Sequence, residues 1–275
     1  MRIAIIHSSS IPYTYGGAEN FLNGLQRALL QYTNHQVETF KIQSPEGNFW
    51  PVWEAYERFF KYEIEGFDAV ITAKYPAWMV DHPKQIVYLC HRLRGLYDEY
   101  EGDSGMPSLP APLEPVGQLL EQRPLGRAQI TELFSHLHRF RQHPEWDTQG
   151  RLSCFPGPLA WHIVRALDEW GFRPERTAKY ASISKTVAER SGYFPPDVNV
   201  QPIYIPPSLP AATGSYDYFF TTSRLAYAKR MDLIIEAMRL VKAGIRLKIA
   251  GTGPMGDFLE KLAGADERIE FLGFV

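Results

Sequence analysis

Residues Tyr218 to Pro254 read YFFTTSRLAYAKRMDLIIEAMRLVKAGIRLKIAGTGP. The run Tyr-Phe-Phe-Thr-Thr predicts a strand, Met231 to about Lys242 a helix, and Arg246 to Ala250 a second strand ending in Gly251-Thr252-Gly253-Pro254. Strand, helix and strand in that order make a parallel α/β unit, and such sheets bind ligands beyond the carboxyl ends of their strands. Arg224 and Lys229 flank the loop that leaves the first strand and enters the helix. A guanidinium fork and a compact ammonium on one short loop, beside a helix N-terminus, can neutralise a diphosphate. Gly251 and Gly253 would let backbone N–H groups approach a phosphate or ribose.

Several pieces stand here in order: Ser223-Arg224-Leu225, Lys229, Asp232-Leu233-Ile234-Ile235-Glu236-Ala237, and Ile249-Ala250-Gly251-Thr252-Gly253-Pro254. Together they resemble the opening of the C-terminal domain in family 4 retaining glycosyltransferases of the GT-B fold. The resemblance implies that Arg224 and Lys229 hold the donor diphosphate. It also implies transfer of a sugar, with retention, from a nucleotide-diphosphate sugar to an acceptor hydroxyl on a glycan or lipid-linked saccharide, as in polysaccharide or glycoconjugate biosynthesis. The fold class expected is α/β, GT-B: two Rossmann-like domains whose parallel sheets face a cleft, the C-terminal one incomplete.

The chain has 275 residues, 45% hydrophobic and 22% charged, with a formal net charge of −2. This is a soluble globular composition with no global basic field, so nucleic acid is not an expected partner. Cys90 and Cys154 are the only cysteines, too few for a disulfide framework or a structural zinc site. Ile3-Ala4-Ile5-Ile6 begins straight after Met1-Arg2, without the small-residue cleavage site of a signal peptide. No apolar run approaches the roughly 20 residues that span a bilayer. A cytoplasmic protein, peripheral at most to the inner face of the membrane, is expected.

The first βα unit is predicted from Ile3–His7 and from a helix over Ala18 to Tyr32, with Gly16-Gly17 at its start. A glycine pair there is either a tight turn or an anion seat at a helix N-terminus. Gly16-Gly17-Ala18-Glu19 is similar to the family's N-terminal Gly-Gly-x-Glu loop, which faces the donor phosphates. Further strands are predicted at Val37–Ile42, Asp68–Ala73 and Gln85–Cys90, with a helix at Trp53–Tyr62. The segments Lys74-Tyr75-Pro76 and Tyr88-Leu89-Cys90-His91-Arg92-Leu93-Arg94, with Tyr97-Asp98, resemble one branch of the family. In that branch the matching His lies beside the transferred sugar. A His closing a buried strand can equally be a packing residue, so His91 carries both interpretations. With Arg224 and Lys229 it forms the candidate catalytic set. Lys74, Arg94 and Asp98 are acceptor-side candidates, although Arg94 and Asp98 at i and i+4 also suit a structural ion pair.

From about 101 to 175 the βα alternation stops, which predicts a helical insertion: a Pro-rich loop over Pro107–Pro115, then helices at Leu125–His143 and Leu159–Trp170. Ile130, Leu133, Phe134, Leu137 and Phe140 form an apolar stripe on the first of these. Such a stripe either packs onto its own domain or lies at a membrane surface, meeting a lipid-linked acceptor. A strand at Tyr180–Ser184 and a helix at Lys185–Gly192 follow, with Val200–Ile205 before the prolines, and this stretch resembles the end of the family's acceptor domain. Pro206 to Ser215 reads as a linker. The expected domains are therefore 1–210, on the acceptor side, and 216–275, the first half of a nucleotide-sugar-binding domain.

After a helix at Met255–Ala263 and a strand at Arg268–Phe274 the sequence ends. The resemblance implies roughly another hundred residues, with two glutamates that hold the donor sugar and ribose. A fragment, or a second polypeptide completing the domain, is the expectation. So is weak or absent transfer by this chain alone, and an inactive relative that binds nucleotide sugar or glycan is the alternative. No cofactor is expected beyond the donor substrate, and no metal, since no Asp-x-Asp motif occurs. A dinucleotide oxidoreductase would want Gly-x-Gly-x-x-Gly after the first strand and an acid about 20 residues on; the first loop has a bare Gly-Gly.

Overall fold

A computed structural model describes residues 1–9, 16–45, 47–205, 214 and 217–275. Strand β1 (Arg2–Ser9) leads to α1 (Gly17–Tyr32), then β2 (Gln36–Gln43), α2 (Phe49–Phe60), β3 (Ala69–Lys74) and β4 (Gln85–His91). Three helices follow, α3 (Glu114–Glu121), α4 (Arg127–Gln142) and α5 (Pro158–Gly171), before β5 (Thr177–Ser182), α6 (Lys185–Ala188) and β6 (Val200–Pro202). Beyond them come β7 (Tyr218–Thr222), α7 (Met231–Met238), β8 (Arg246–Ala250), α8 (Gly256–Ala263) and β9 (Ile269–Gly273). The chain divides into two units, Met1–Leu209 and Pro210–Val275. Apart from Gly214, the linker expected over Pro206–Ser215 lies outside the described residues.

In the first unit the strands form one parallel sheet in the order β2-β1-β3-β4-β5-β6. Because side chains alternate along a strand, β1 feeds two cores. Ile3 and Ile5 meet Phe21 and Leu22 of α1 on one face. Ala4 and Ile6 join the larger core on the other, with residues of α2, α3, α4 and α5. Both faces are thus covered, which explains why β1 and β3 are buried almost throughout.

Some boundaries moved for identifiable reasons. Helix α2 starts at Phe49, earlier than expected, because Pro51 sits in the first turn, where its missing N–H would have no helical partner anyway. Helix α3 was not anticipated; Pro115 opens it at the second position and does not extend the preceding loop. Helix α6 is shorter than expected, and Val200–Pro202 forms a short strand, β6. The stripe on α4 faces inward: Ile130, Leu133, Phe134, Leu137 and Phe140 are all at most 2% exposed. That corrects the membrane-surface interpretation, since this face is covered by its own core. Two basic residues of the same helix are tied to α2, His138 Nε2 at 2.8 Å from Glu57 Oε2 and Arg141 ion-paired with Glu54.

A polar cluster is buried within this unit. Asp168, in the last turn of α5, accepts from Tyr56 Oη and Trp78 Nε1 on Oδ1, at 2.7 and 2.8 Å, and from Tyr97 Oη on Oδ2 at 2.7 Å. Arg92 Nη1 lies 3.1 Å from Oδ2, an ion pair whose angle is not that of a hydrogen bond. The guanidinium also donates to Tyr193 O at 3.0 and 2.6 Å and stacks over the Phe172 ring. Burial first, then the Asp168 charge, pushes the Tyr97 phenol well above its ordinary range, so it stays a donor.

The second unit is a parallel sheet β7-β8-β9 with α7 and α8 against it. Its core is Leu225, Ile235, Met238, Leu247, Ile249 and Leu259. Strand β7 is at the sheet edge, and Tyr218, Phe219 and Phe220 there are about half exposed. Helix α7 stops at Met238, short of Lys242, because Arg268 donates to Met238 O and Val241 O at 2.8 and 2.6 Å, satisfying carbonyls at the helix end. Side-chain hydrogen bonds from the same guanidinium hold the Asp266 carboxyl down to about 2.

Candidate functional site

In the second unit, the loop between β7 and α7 is anchored by one apolar residue. Leu225 is buried in the small core, and its neighbour Arg224 is exposed. The loop lies against the one that follows β8: Ser223 N donates to Ala250 O, Leu225 N to Thr252 O and Met255 N to Leu225 O, at 2.9 to 3.0 Å. A Cβ on Gly251 would fall 1.8 Å from Ser223 O, and one on Gly253 would fall 2.4 Å from Leu225 O. The Gly-x-Gly is therefore required by the approach of two backbones, a reason the sequence did not reveal. The Gly251 N–H itself donates to Gly273 O at 2.6 Å.

The three cations of this loop differ. Arg230 occupies the left-handed region at φ 49 and forks onto Asp232 of α7 through bonds of 2.8 to 3.1 Å. Arg224 and Lys229 are exposed, and neither side chain has a hydrogen-bond or ion-pair partner among the described residues. Both sit beyond the carboxyl end of a parallel strand, where ligands of such sheets are held. The loop thus presents two uncompensated donors on a backbone fixed by Leu225 and by the neighbouring turn.

In the first unit, residues gather at the carboxyl ends of β1, β3 and β4. Lys74 and His91 are register partners across β3 and β4, so the sheet brings these two predicted residues together. Lys74 is buried, with its ammonium 5.9 Å from the Tyr75 ring centre, and the His91 ring lies 6.4 Å from the same ring. His91 Nδ1 is 2.7 Å from Arg92 O. Gly16 is the N-cap of α1, and its N–H donates to Glu19 Oε2 at 3.1 Å. The first turn of this helix already carries a buried carboxylate of its own.

The predicted pairing of Arg94 with Asp98 does not occur. Arg94 opens a short 3-10 turn, Arg94–Leu96, and is exposed. Asp98 instead pairs with Arg190 at 3.1 Å and accepts a short hydrogen bond from Tyr193 Oη. The segment after β4 is not the α-helix that i, i+4 spacing requires.

Sequence reasoning also missed His7. It is 1% exposed, opposite Lys41 of β2, with Nδ1 2.8 Å from Ser8 O. Burial lowers its pKa, against the pull of the Ser8 carbonyl, and the Lys41 and Lys74 charges add to the lowering while Glu19 opposes it. The imidazole is thus a neutral group among charged neighbours at the strand end. A polar residue closing an apolar run was the available signal.

Cys90 adjoins this edge, and burial pushes its thiol up to about 11. At pH 8 roughly one molecule in a thousand would carry the thiolate. In the folded chain iodoacetamide should therefore spare Cys90 and react at the less buried Cys154, with both reacting in denaturant. Peptide mass spectrometry reads this, and fast native alkylation of Cys90 would contradict its placement.

Among the described residues no cluster of three or more His, Cys, Asp or Glu side chains suits a metal, and no helix is long and apolar enough to cross a membrane. No protein-family model and no curated protein matches the chain. Among solved structures, Anabaena Alr3699/HepE in complex with UDP is similar over 100% of this chain and 70% of its own, at 13% identity and a TM-score of 0.37. The same protein with UDP and glucose aligns over the same shares, at 14% identity and a TM-score of 0.35. Likeness at that level carries no functional weight.

Proposed function

We propose that this chain is a glycosyltransferase of GT-B architecture, of the retaining family 4 type, which holds a nucleotide-diphosphate sugar through Arg224 and Lys229. The observation that carries this reading is the pair of exposed cations, without partners among the described residues, on a loop whose third cation, Arg230, is tied to Asp232. Charge developing on a leaving diphosphate would meet a guanidinium fork and an ammonium already in place, the form of catalysis that needs least reorganisation. The acceptor hydroxyl would attack on the leaving-group face and pass its proton to the diphosphate, so no protein nucleophile is required. In this proposal Lys74 and His91, joined across β3 and β4, are the first unit's acceptor-side residues.

Calorimetric titration with UDP and GDP tests the reading. Native chain should bind one of them saturably, and Arg224→Ala and Lys229→Ala should each weaken that binding roughly tenfold to a hundredfold, as loss of a charge-assisted hydrogen bond does. Equal affinity in native chain and Arg224→Ala would reject it. Adding donor sugar and following its hydrolysis separates a transferase from a relative that only binds.

A further inference from the structure

A cavity of about 360 Å³ lies in the first unit, lined by Arg92, Arg165 and Arg173 together with Tyr97, Phe172 and Phe194. None of Gly16, Gly17, Lys74 and His91 lines it. Its volume suits a small molecule, and its charges are unevenly matched. Arg92 is paired with Asp168, and Arg123, also in the wall, with Glu169 at 2.8 Å. The other two guanidinium groups are not balanced in this way. Arg173 has no side-chain hydrogen-bond or ion-pair partner among the described residues. Arg165 has one long contact, 3.5 Å from Nη2 to Leu96 O, and otherwise lies over the ring faces of Tyr97 and Trp161.

On these two residues, Arg165 Nε and Arg173 Nη2 are shielded from solvent without a hydrogen-bond partner among the described residues. Folded proteins pair the great majority of such donors. Both side chains are otherwise half-buried, so an anion in the cavity can meet their remaining N–H groups. Glu175, the remaining carboxylate of the wall, is exposed and screened by solvent.

We propose that this cavity binds a small phosphate monoester, its phosphoryl oxygens on the Arg165 and Arg173 guanidinium groups and its organic body against Tyr97, Phe172 and Phe194. Two unbalanced cations match a dianion, and planar forks match phosphoryl oxygens in pairs. A carboxylate would leave one cation unmatched. The site belongs to the first unit and does not depend on the loop that carries Arg224.

The test is calorimetry on the full chain at low ionic strength, in a buffer free of phosphate, with phenyl phosphate, inorganic phosphate and benzoate as probes. Phenyl phosphate should bind at one site, more tightly than inorganic phosphate, which lacks the ring, and than benzoate, which has a single charge. Arg173→Gln should weaken it roughly tenfold or more while leaving UDP affinity unchanged, and Arg224→Ala should leave phenyl phosphate binding unchanged. Arg165→Gln should act like Arg173→Gln; if its loss of ring contacts prevents folding, the half-buried Arg173 carries the test. The proposal is overturned if phenyl phosphate fails to saturate below about 10 mM, if Arg173→Gln binds it like native chain, or if benzoate binds more tightly.

Discussion

Gly251→Ala should unfold the second unit and leave the first standing. The new methyl group would meet Ser223 O at 1.8 Å, with the Ser223 carbonyl carbon at 2.9 Å, and both are backbone atoms that no rotamer change can move. The residue also sits at φ +130, where an L side chain is strained whatever the space. Relief requires parting the two loops, which breaks the bonds from Ser223 N to Ala250 O and from Leu225 N to Thr252 O and lifts Leu225 out of a core of six buried residues. A loss of about 4 kcal/mol or more is expected, at the extreme of single substitutions, and so small a core has little margin against it. Gly244→Ala is the control, because its Cβ would meet nothing within 4 Å. Trypsin digestion of the folded chain reads the outcome: rapid cleavage after the lysines and arginines of residues 217–275 in Gly251→Ala, and native resistance in Gly244→Ala. Equal resistance in the two variants would show that the loops are not in contact.

The second large effect belongs to Asp168→Ala. Asp168 and Arg92 are 1% and 4% exposed, so deleting the carboxylate leaves a guanidinium without its counter-charge inside the domain. Tyr56, Trp78 and Tyr97 lose their acceptor at the same time. Breaking a buried pair from one side costs about 3–5 kcal/mol, whereas replacing both partners with apolar residues of similar volume can be nearly neutral. In urea, the first unit's midpoint should fall sharply in Asp168→Ala and recover in part in Asp168→Leu with Arg92→Met. The three stranded ring donors limit that recovery. A stability loss of less than about 1 kcal/mol in the single variant would show that the charge is not buried.

The local elements of the second unit were legible. Strands β7 and β8 match the predicted Tyr218–Thr222 and Arg246–Ala250 residue for residue, since the first is a short run between Asp217 and Ser223 and the second alternates in burial up to Gly251. Helix α1 and the stripe of α4 were visible for the same reason, as one apolar face at helical spacing. Helix α3 was not, because a proline reads as a break unless its place in the first turn is known. Lys74 and His91 could be named one by one at strand ends; their being register partners depends on the pairing of β3 with β4.

What the sequence by itself determined is therefore what nearest neighbours in the chain decide: strand and helix periodicity, the glycine pair at the start of α1, and the position of Arg224 and Lys229 on a loop after a strand. Tertiary structure alone decided which way the α4 stripe faces, that Asp98 belongs to Arg190 and Tyr193, that Asp168 receives Arg92, and that Gly251 is a glycine because Ser223 passes beside it. Periodicity is imposed by backbone dihedrals a few residues at a time. A charge partner or a close backbone approach is set by segments far apart in the chain, which meet only when the sheet and its helices are assembled.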